Sequence, residues 1–208
     1  MKSGKFITLE GIDGAGKSTQ LAWIVELLQQ AGLQPVVTRE PGGTPLGERV
    51  RALLLDKSMV MHAETEALLM FAARREHLDK VILPALQQGQ WVISDRFTDA
   101  SFAYQGGGRG LDQAKLGILE HWVQGELQPD LTLYFDVPVE IGQQRVRQIK
   151  DADRFEQEQA GFFQRVRNAY LDRARQFPNR IEIIDSSRDL AEVKAAVEQT
   201  VQRLLHDA

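Results

Sequence analysis

Residues 11–18 read Gly11-Ile12-Asp13-Gly14-Ala15-Gly16-Lys17-Ser18. The segment fits G-x-x-x-x-G-K-[ST] at every fixed position. Its surroundings fit too. The short apolar run Phe6-Ile7-Thr8-Leu9 precedes it, and Leu21, Ile24, Val25 and Leu28 then recur at helical spacing up to Gly32. Strand, glycine-rich loop and helix are the context in which this spacing cradles phosphate. The glycines let successive N–H groups converge on phosphate oxygens, and the helix N-terminus adds partial positive charge. Lys17 is expected to reach the β- and γ-phosphates of a nucleoside triphosphate, and Ser18 to offer its hydroxyl to Mg²⁺. The expected ATP-binding set runs from Gly11 through Ser18 to Thr19.

Reading outward, strands and helices alternate. Further strands are expected at Pro35 to Thr38, Trp91 to Ser94, Leu131 to Phe135 and Arg180 to Ile184. Helices are expected from Leu46 to Leu55, Asp112 to about Gly125 and Leu190 to Leu205. A longer one from Ala63 should be kinked or interrupted near Pro84, another should open at Pro138, and Phe155 to Phe177 carries helical period. The glycines of Gly106-Gly107-Gly108-Arg109-Gly110 predict a flexible loop, and the polar stretch from Arg147 to Arg154 a mobile one. Strands that are apolar without strict alternation lie in a parallel sheet covered on both faces. The expected architecture is one P-loop α/β domain over 1–208, with five parallel strands and a short lid near 145–156.

Composition narrows the class. A formal net charge of −4 argues against general nucleic-acid binding, which needs a basic footprint. No cysteine is present, which removes disulfides, thiolate metal sites and cysteine nucleophiles. No apolar run approaches a membrane span or a signal-peptide core, so the expected location is the cytoplasm.

A phosphate loop serves GTPases, motors and kinases alike. An Asn/Thr-Lys-x-Asp guanine-reading motif is missing, and a motor would be longer. A small-molecule kinase needs a second phosphate site, an acceptor pocket and cations for the transferring group. Asp95-Arg96 falls at the carboxyl end of a strand, where ligands of this fold class bind. Arg96 can grip phosphate in a fork, and Asp95 can hold Mg²⁺ directly or through water. Phe71 and Arg74 share a helix face, so a flat base could stack on the ring while the guanidinium donates to it. Taken alone, Phe71 reads more readily as core than as a stacking ring. Arg145, Arg147, Lys150 and Arg154 are either a solvated face or the cations of a closing lid.

These residues carry a resemblance to bacterial thymidylate kinases along nearly the whole chain. It rests on Leu9-Glu10-Gly11, Thr38-Arg39-Glu40-Pro41-Gly42-Gly43-Thr44, Leu69-Met70-Phe71-Ala72-Ala73-Arg74, Asp95-Arg96-Phe97, the run Ala103 to Gly110, Pro129 to Leu133 and Asp153-Arg154-Phe155-Glu156. The resemblance implies ATP- and Mg²⁺-dependent phosphorylation of thymidine monophosphate, usually by a homodimer. It implies that Phe71 stacks on thymine, Arg74 bonds O4, and Gln105 with Ser101 meets the N3 edge. Tyr104 would crowd the sugar 2′ position and Asp13 would take the 3′-OH. Arg96, with Arg39 or Arg51, would hold the acceptor phosphate, and a cis peptide is expected before Pro41. Some relatives carry an arginine inside the phosphate loop; here that place is Gly14 or Ala15. The catalytic cation should then come from Arg147, Lys150 or Arg154, since Ile149-Lys150 stands where many relatives read Arg-Gly. The competing readings are a kinase for another nucleoside or nucleotide, and a non-catalytic nucleotide sensor.

Overall fold

The computed structural model describes residues 4–147, 153–156 and 158–206. Five strands, β1 (Phe6–Glu10), β2 (Val36–Arg39), β3 (Val92–Asp95), β4 (Leu131–Asp136) and β5 (Ile181–Asp185), form one sheet in the order β2-β3-β1-β4-β5. All neighbouring pairs are parallel. The α-helices are α1 (Lys17–Gln30), α2 (Pro45–Leu55), α3 (Ala63–His77), α4 (Leu83–Gln87), α5 (Thr98–Ser101), α6 (Gln113–Gln124), α7 (Val139–Arg147), α8 (Ala160–Gln176) and α9 (Leu190–His206).

The central strands β1, β3 and β4 are buried on both faces, which explains their apolar character, while the edge strands β2 and β5 are partly exposed. Ile7, Leu9 and Ile93 enter one core with Ile24 and Leu28 of α1 and Val197 and Val201 of α9. Phe6 and Val92 enter a second core with Phe71, Leu78, Phe97 and Leu116. Strand carboxyl ends therefore share one edge, which gathers Glu10, Arg39, Asp95 and Asp136.

Two local expectations are corrected. The helix from Ala63 is interrupted rather than kinked, and the break begins at Leu78, ahead of Pro84. It widens into a π-helical stretch over Leu78–Ile82 and resumes as α4, with Pro84 in the first turn, where a missing N–H costs nothing. The glycine run is not a flexible loop either. Phe102–Gly108 is a π-helical stretch packed on α8. A Cβ on Gly108 would lie 2.5 Å from the Phe162 ring, and one on Gly107 2.6 Å from the Ala169 Cβ. These glycines permit close helix packing.

The helical period expected from Phe155 begins only at Ala160. Before it, Asp153 Oδ1 accepts from the N–H groups of Phe155 and Glu156 (2.9 and 3.0 Å), while Glu156 Oε2 accepts from Asp153 N–H (2.9 Å). This reciprocal pairing is a capping box around a single turn. Phe155 is buried there edge-on to Tyr104, 5.9 Å between ring centres.

Candidate active site

The phosphate loop leaves β1 and enters α1 with Gly11, Gly14 and Gly16 at positive φ. A Cβ at Gly14 would meet the Gly142 carbonyl at 2.2 Å, so both strain and space demand glycine there. Ala15 is wholly buried, which leaves no room for an arginine in the loop. Lys17 is buried and curls over the loop, its Nζ donating to the carbonyls of Gly11 (3.0 Å) and Ile12 (3.1 Å). Burial lowers its pKa, with neighbouring Arg96 acting the same way. Ser18 and Thr19 are exposed in the first turn of α1.

Beside this loop lies a cleft with about 790 Å³ of empty space. Its lining includes the charged residues Asp13, Arg39, Arg51, Asp95 and Arg96, and also Met70, Arg74, Phe97, Ser101, Tyr104 and Gln105. Eight of the nine expected acceptor-site residues therefore meet in one cavity. The ninth, Phe71, does not line it. It is buried in the second core, with the Arg74 guanidinium 4.6 Å from its ring centre, and Met70 faces the cleft instead. The core reading of Phe71 holds, and the ring supports Arg74 from behind.

Arg74 is held on three sides. Nε donates to Glu40 Oε2 (2.7 Å), and Nη2 donates to the Phe97 carbonyl (3.1 Å) and to Ser101 Oγ (3.0 Å). Glu40 in turn bonds His77 Nδ1 (3.0 Å), whose Nε2 meets Thr38 Oγ1 (2.6 Å). Among the described residues, buried Arg74 Nη1 has no hydrogen-bond partner. A buried donor left unmatched is costly, so it points to an acceptor on a ligand. The peptide bond between Glu40 and Pro41 is cis, as expected.

Arg96 has φ 71°, a left-handed conformation that a side chain other than glycine rarely takes. Three bonds impose it. Arg96 N–H donates to the Leu9 carbonyl (2.9 Å), Ser94 Oγ donates to the Arg96 carbonyl (2.7 Å), and Phe97 N–H donates to Glu10 Oε1 (2.8 Å). Its Nη2 donates to Asp13 Oδ1 (2.8 Å) and to Tyr104 Oη (3.2 Å). Glu10 is fully buried, and burial together with nearby Asp99 pushes its pKa up to about 8. Sequence reasoning assigned Glu10 no role. The available signal was a carboxylate ending an otherwise apolar buried strand.

Asp95 Oδ1 is buried with no hydrogen-bond partner among the described residues. It lies in the same cleft as the phosphate-loop residue Asp13. No group of three or more His, Cys, Asp or Glu assembles a metal cage among the described residues. The donor set fits Mg²⁺, which takes one or two protein oxygens and draws its other ligands from phosphate and water.

The lid cations separate. Arg145 Nη1 donates to the carbonyls of Gly14 and Ser186, both at 3.2 Å. Arg147 ends α7, and Lys150 lies outside the described residues. Arg154 does not line the cleft. Its Nη2 donates to Glu66 Oε2 (2.7 Å), its Nε to the Leu54 carbonyl (2.7 Å), and it lies 4.5 Å over the Phe155 ring. Asp153, Phe155 and Glu156 do line it, and sequence reasoning missed them as wall residues.

The family model for thymidylate kinase matches residues 9–197. The thymidylate kinase of Nitrosomonas europaea is 68% identical over 207 residues, covering 100% of this chain and 96% of that protein. That of Nitrosospira multiformis is 66% identical over 198 residues, covering 95% and 97%. The crystal structure of thymidylate kinase from Ehrlichia chaffeensis superposes with a TM-score of 0.79 at 36% identity, covering 96% of this chain and 99% of that one. The chain belongs to the thymidylate kinase family.

Proposed function

We propose that this chain transfers the γ-phosphoryl group of ATP to the 5′-phosphate of deoxythymidine monophosphate, giving the diphosphate and ADP. The observation that carries the reading is a single cleft whose lining brings together two chemically different sets of groups. Arg39, Arg51 and Arg96 line it with Asp13 of the phosphate loop, and Arg74, with its unmatched Nη1, and Gln105 line it too. A monophosphate with an imide base satisfies both. Tyr104 and Asp13 between them suit a deoxyribose, with the phenol at the 2′ position and the carboxylate at the 3′-OH.

In the transfer an oxygen of the acceptor phosphate attacks the γ-phosphorus, and the bond from that phosphorus to the β,γ-bridging oxygen breaks. The attacking oxygen is already anionic, so no strong general base is needed. Catalysis rests on alignment and charge neutralisation. Lys17 takes the β- and γ-phosphates, and Arg96 takes the acceptor phosphate. Ser18 and Asp95 would hold Mg²⁺, which when bound offsets charge on the donor phosphates. With Arg154 committed to Glu66, the lid cation is Arg147 or Lys150. The chain acts as one kinase domain with its lid near 145–156, in the cytoplasm.

We also propose that the enzyme works as a homodimer. Leu68 of α3 and Ile118 of α6 line an apolar groove, with Trp122 largely exposed alongside.

A nucleoside kinase would leave Arg39, Arg51 and Arg96 without a phosphate to hold. Coupled-assay turnover of deoxythymidine monophosphate against thymidine separates the two. The monophosphate should be the only efficient substrate, and preference for thymidine would overturn the reading.

A further inference from the structure

Outside the machinery described above lies a buried anion, Glu66 on α3, only 1% exposed. Its carboxylate takes three donors. Gln105 Nε2 lies 2.8 Å from Oε1, Arg154 Nη2 lies 2.7 Å from Oε2, and Arg109 Nε lies 3.3 Å away. Gln105 lines the cleft from the π-helical stretch after α5, and Arg154 sits in the capped turn whose Asp153, Phe155 and Glu156 line it from elsewhere in the chain.

We propose that Glu66 is a specificity-positioning residue for the base, an inference that rests on the thymidylate reading above. An ionised carboxylate only accepts hydrogen bonds, so the group facing it from Gln105 must be the NH₂. The Gln105 amide is thereby fixed with its carbonyl Oε1 toward the cleft it lines. A carbonyl there accepts from an imide N–H, the N3–H that thymine carries. Cytosine has an unprotonated N3, an acceptor, at that place. Two acceptors facing one another in a buried site leave both unmatched, which discriminates far more strongly than shape alone. Glu66 never touches the base. It acts by removing one of the two orientations the Gln105 amide could take. Arg109 and Arg154 also donate to this carboxylate, and Arg154 ties the capped turn to it.

Glu66→Gln tests this, because an amide can present either its oxygen or its NH₂ to Gln105. Facing an NH₂, Gln105 turns over and offers its own NH₂ to the cleft. The readout is the ratio of kcat/KM for deoxythymidine monophosphate to that for deoxycytidine monophosphate. A loss of packing alone would lower both values and leave the ratio. We expect the ratio to fall about ten- to a hundredfold. In a Gln105→Ala background, the same substitution should change the ratio less than about twofold, since no amide remains to orient. A ratio unchanged by Glu66→Gln, in an enzyme that still turns over deoxythymidine monophosphate, overturns the inference and leaves the thymidylate reading standing. A wild type inactive on deoxythymidine monophosphate overturns both. Should the variant not fold, competition on the wild type decides. Deoxycytidine monophosphate should inhibit at least about tenfold more weakly than deoxythymidine monophosphate binds, and equal binding would show that the amide is not held.

Discussion

Arg96 Nη2 donates to Asp13 Oδ1 at 2.8 Å, so the cation at the end of β3 is tied to a carboxylate inside the phosphate loop. Donor and acceptor sites thus share a residue pair. Arg96 is held in the left-handed region by bonds from two strands, which fixes where its charge points. Arg96→Ala should leave the fold intact and lower kcat/KM for deoxythymidine monophosphate by about 10³-fold, the scale of an arginine acting on a transferring phosphoryl group. Steady-state kinetics checks this, and a loss below about tenfold would remove Arg96 from the mechanism.

Glu10 gives a pH dependence with a definite sign. Its pKa in the folded chain is about 8, above its ordinary 4.5, because of burial and Asp99; Tyr170 Oη and Arg96 act in the opposite direction. The folded state therefore holds a proton that the unfolded chain releases. The stability from this proton is complete below about pH 4.5 and is lost as pH rises through about 8. Asp99 is held below its ordinary range by Arg180 and Arg173, against the effect of its burial, so its loss falls at lower pH. Unfolding free energies from urea titrations should drop between pH 5.5 and 8 in the wild type, by up to about 1.4 kcal/mol per pH unit. Glu10→Gln should flatten that slope, and a variant with the wild-type slope would contradict the assignment.

Gly108→Ala places a methyl 2.5 Å from the Phe162 ring and 3.0 Å from Val166 Cγ2. Both belong to α8, which cannot retreat without opening the main core. Overpacking of this kind costs about 1–3 kcal/mol, a fall in Tm of roughly 2–4 °C per kcal/mol at this chain length. Calorimetry should also find Gly110→Ala milder in contact terms, since nothing lies within 4 Å of that Cβ, with only its positive φ opposing it.

Ile118→Asp puts a charge on the exposed apolar groove between α3 and α6. Sedimentation should report a dimer for the wild type and a monomer for the variant at micromolar concentration. A wild type that is monomeric throughout would refute the homodimer.

The phosphate loop was legible because its spacing, strand and helix are all local. The sheet was legible because its central strands, buried on both faces, are largely apolar without strict alternation. The glycine run was not, since a glycine that permits close packing and one that permits flexibility look alike until α8 is in place. Phe71 and Met70 differ by one position, about 100° around a helix. That is enough to send one ring into the core and the other side chain into the cleft. Arg154 matched a lid cation by charge alone, and only the fold brings Glu66 from α3 against it. Glu40, His77 and Thr38 could not be assembled into one network from positions 38 to 77, because a sheet edge and a helix end meet there.

The central claim is that the cleft accepts a monophosphate with an imide base and deoxyribose. Its most direct test is kcat/KM with saturating ATP and Mg²⁺ across deoxythymidine, uridine, cytidine and guanosine monophosphates, beside a Lys17→Ala control. The account predicts that deoxythymidine monophosphate is preferred by at least about a hundredfold over the cytidine and guanosine nucleotides, with turnover abolished in the control. Equal turnover of all four, or transfer that survives loss of Lys17, would contradict it.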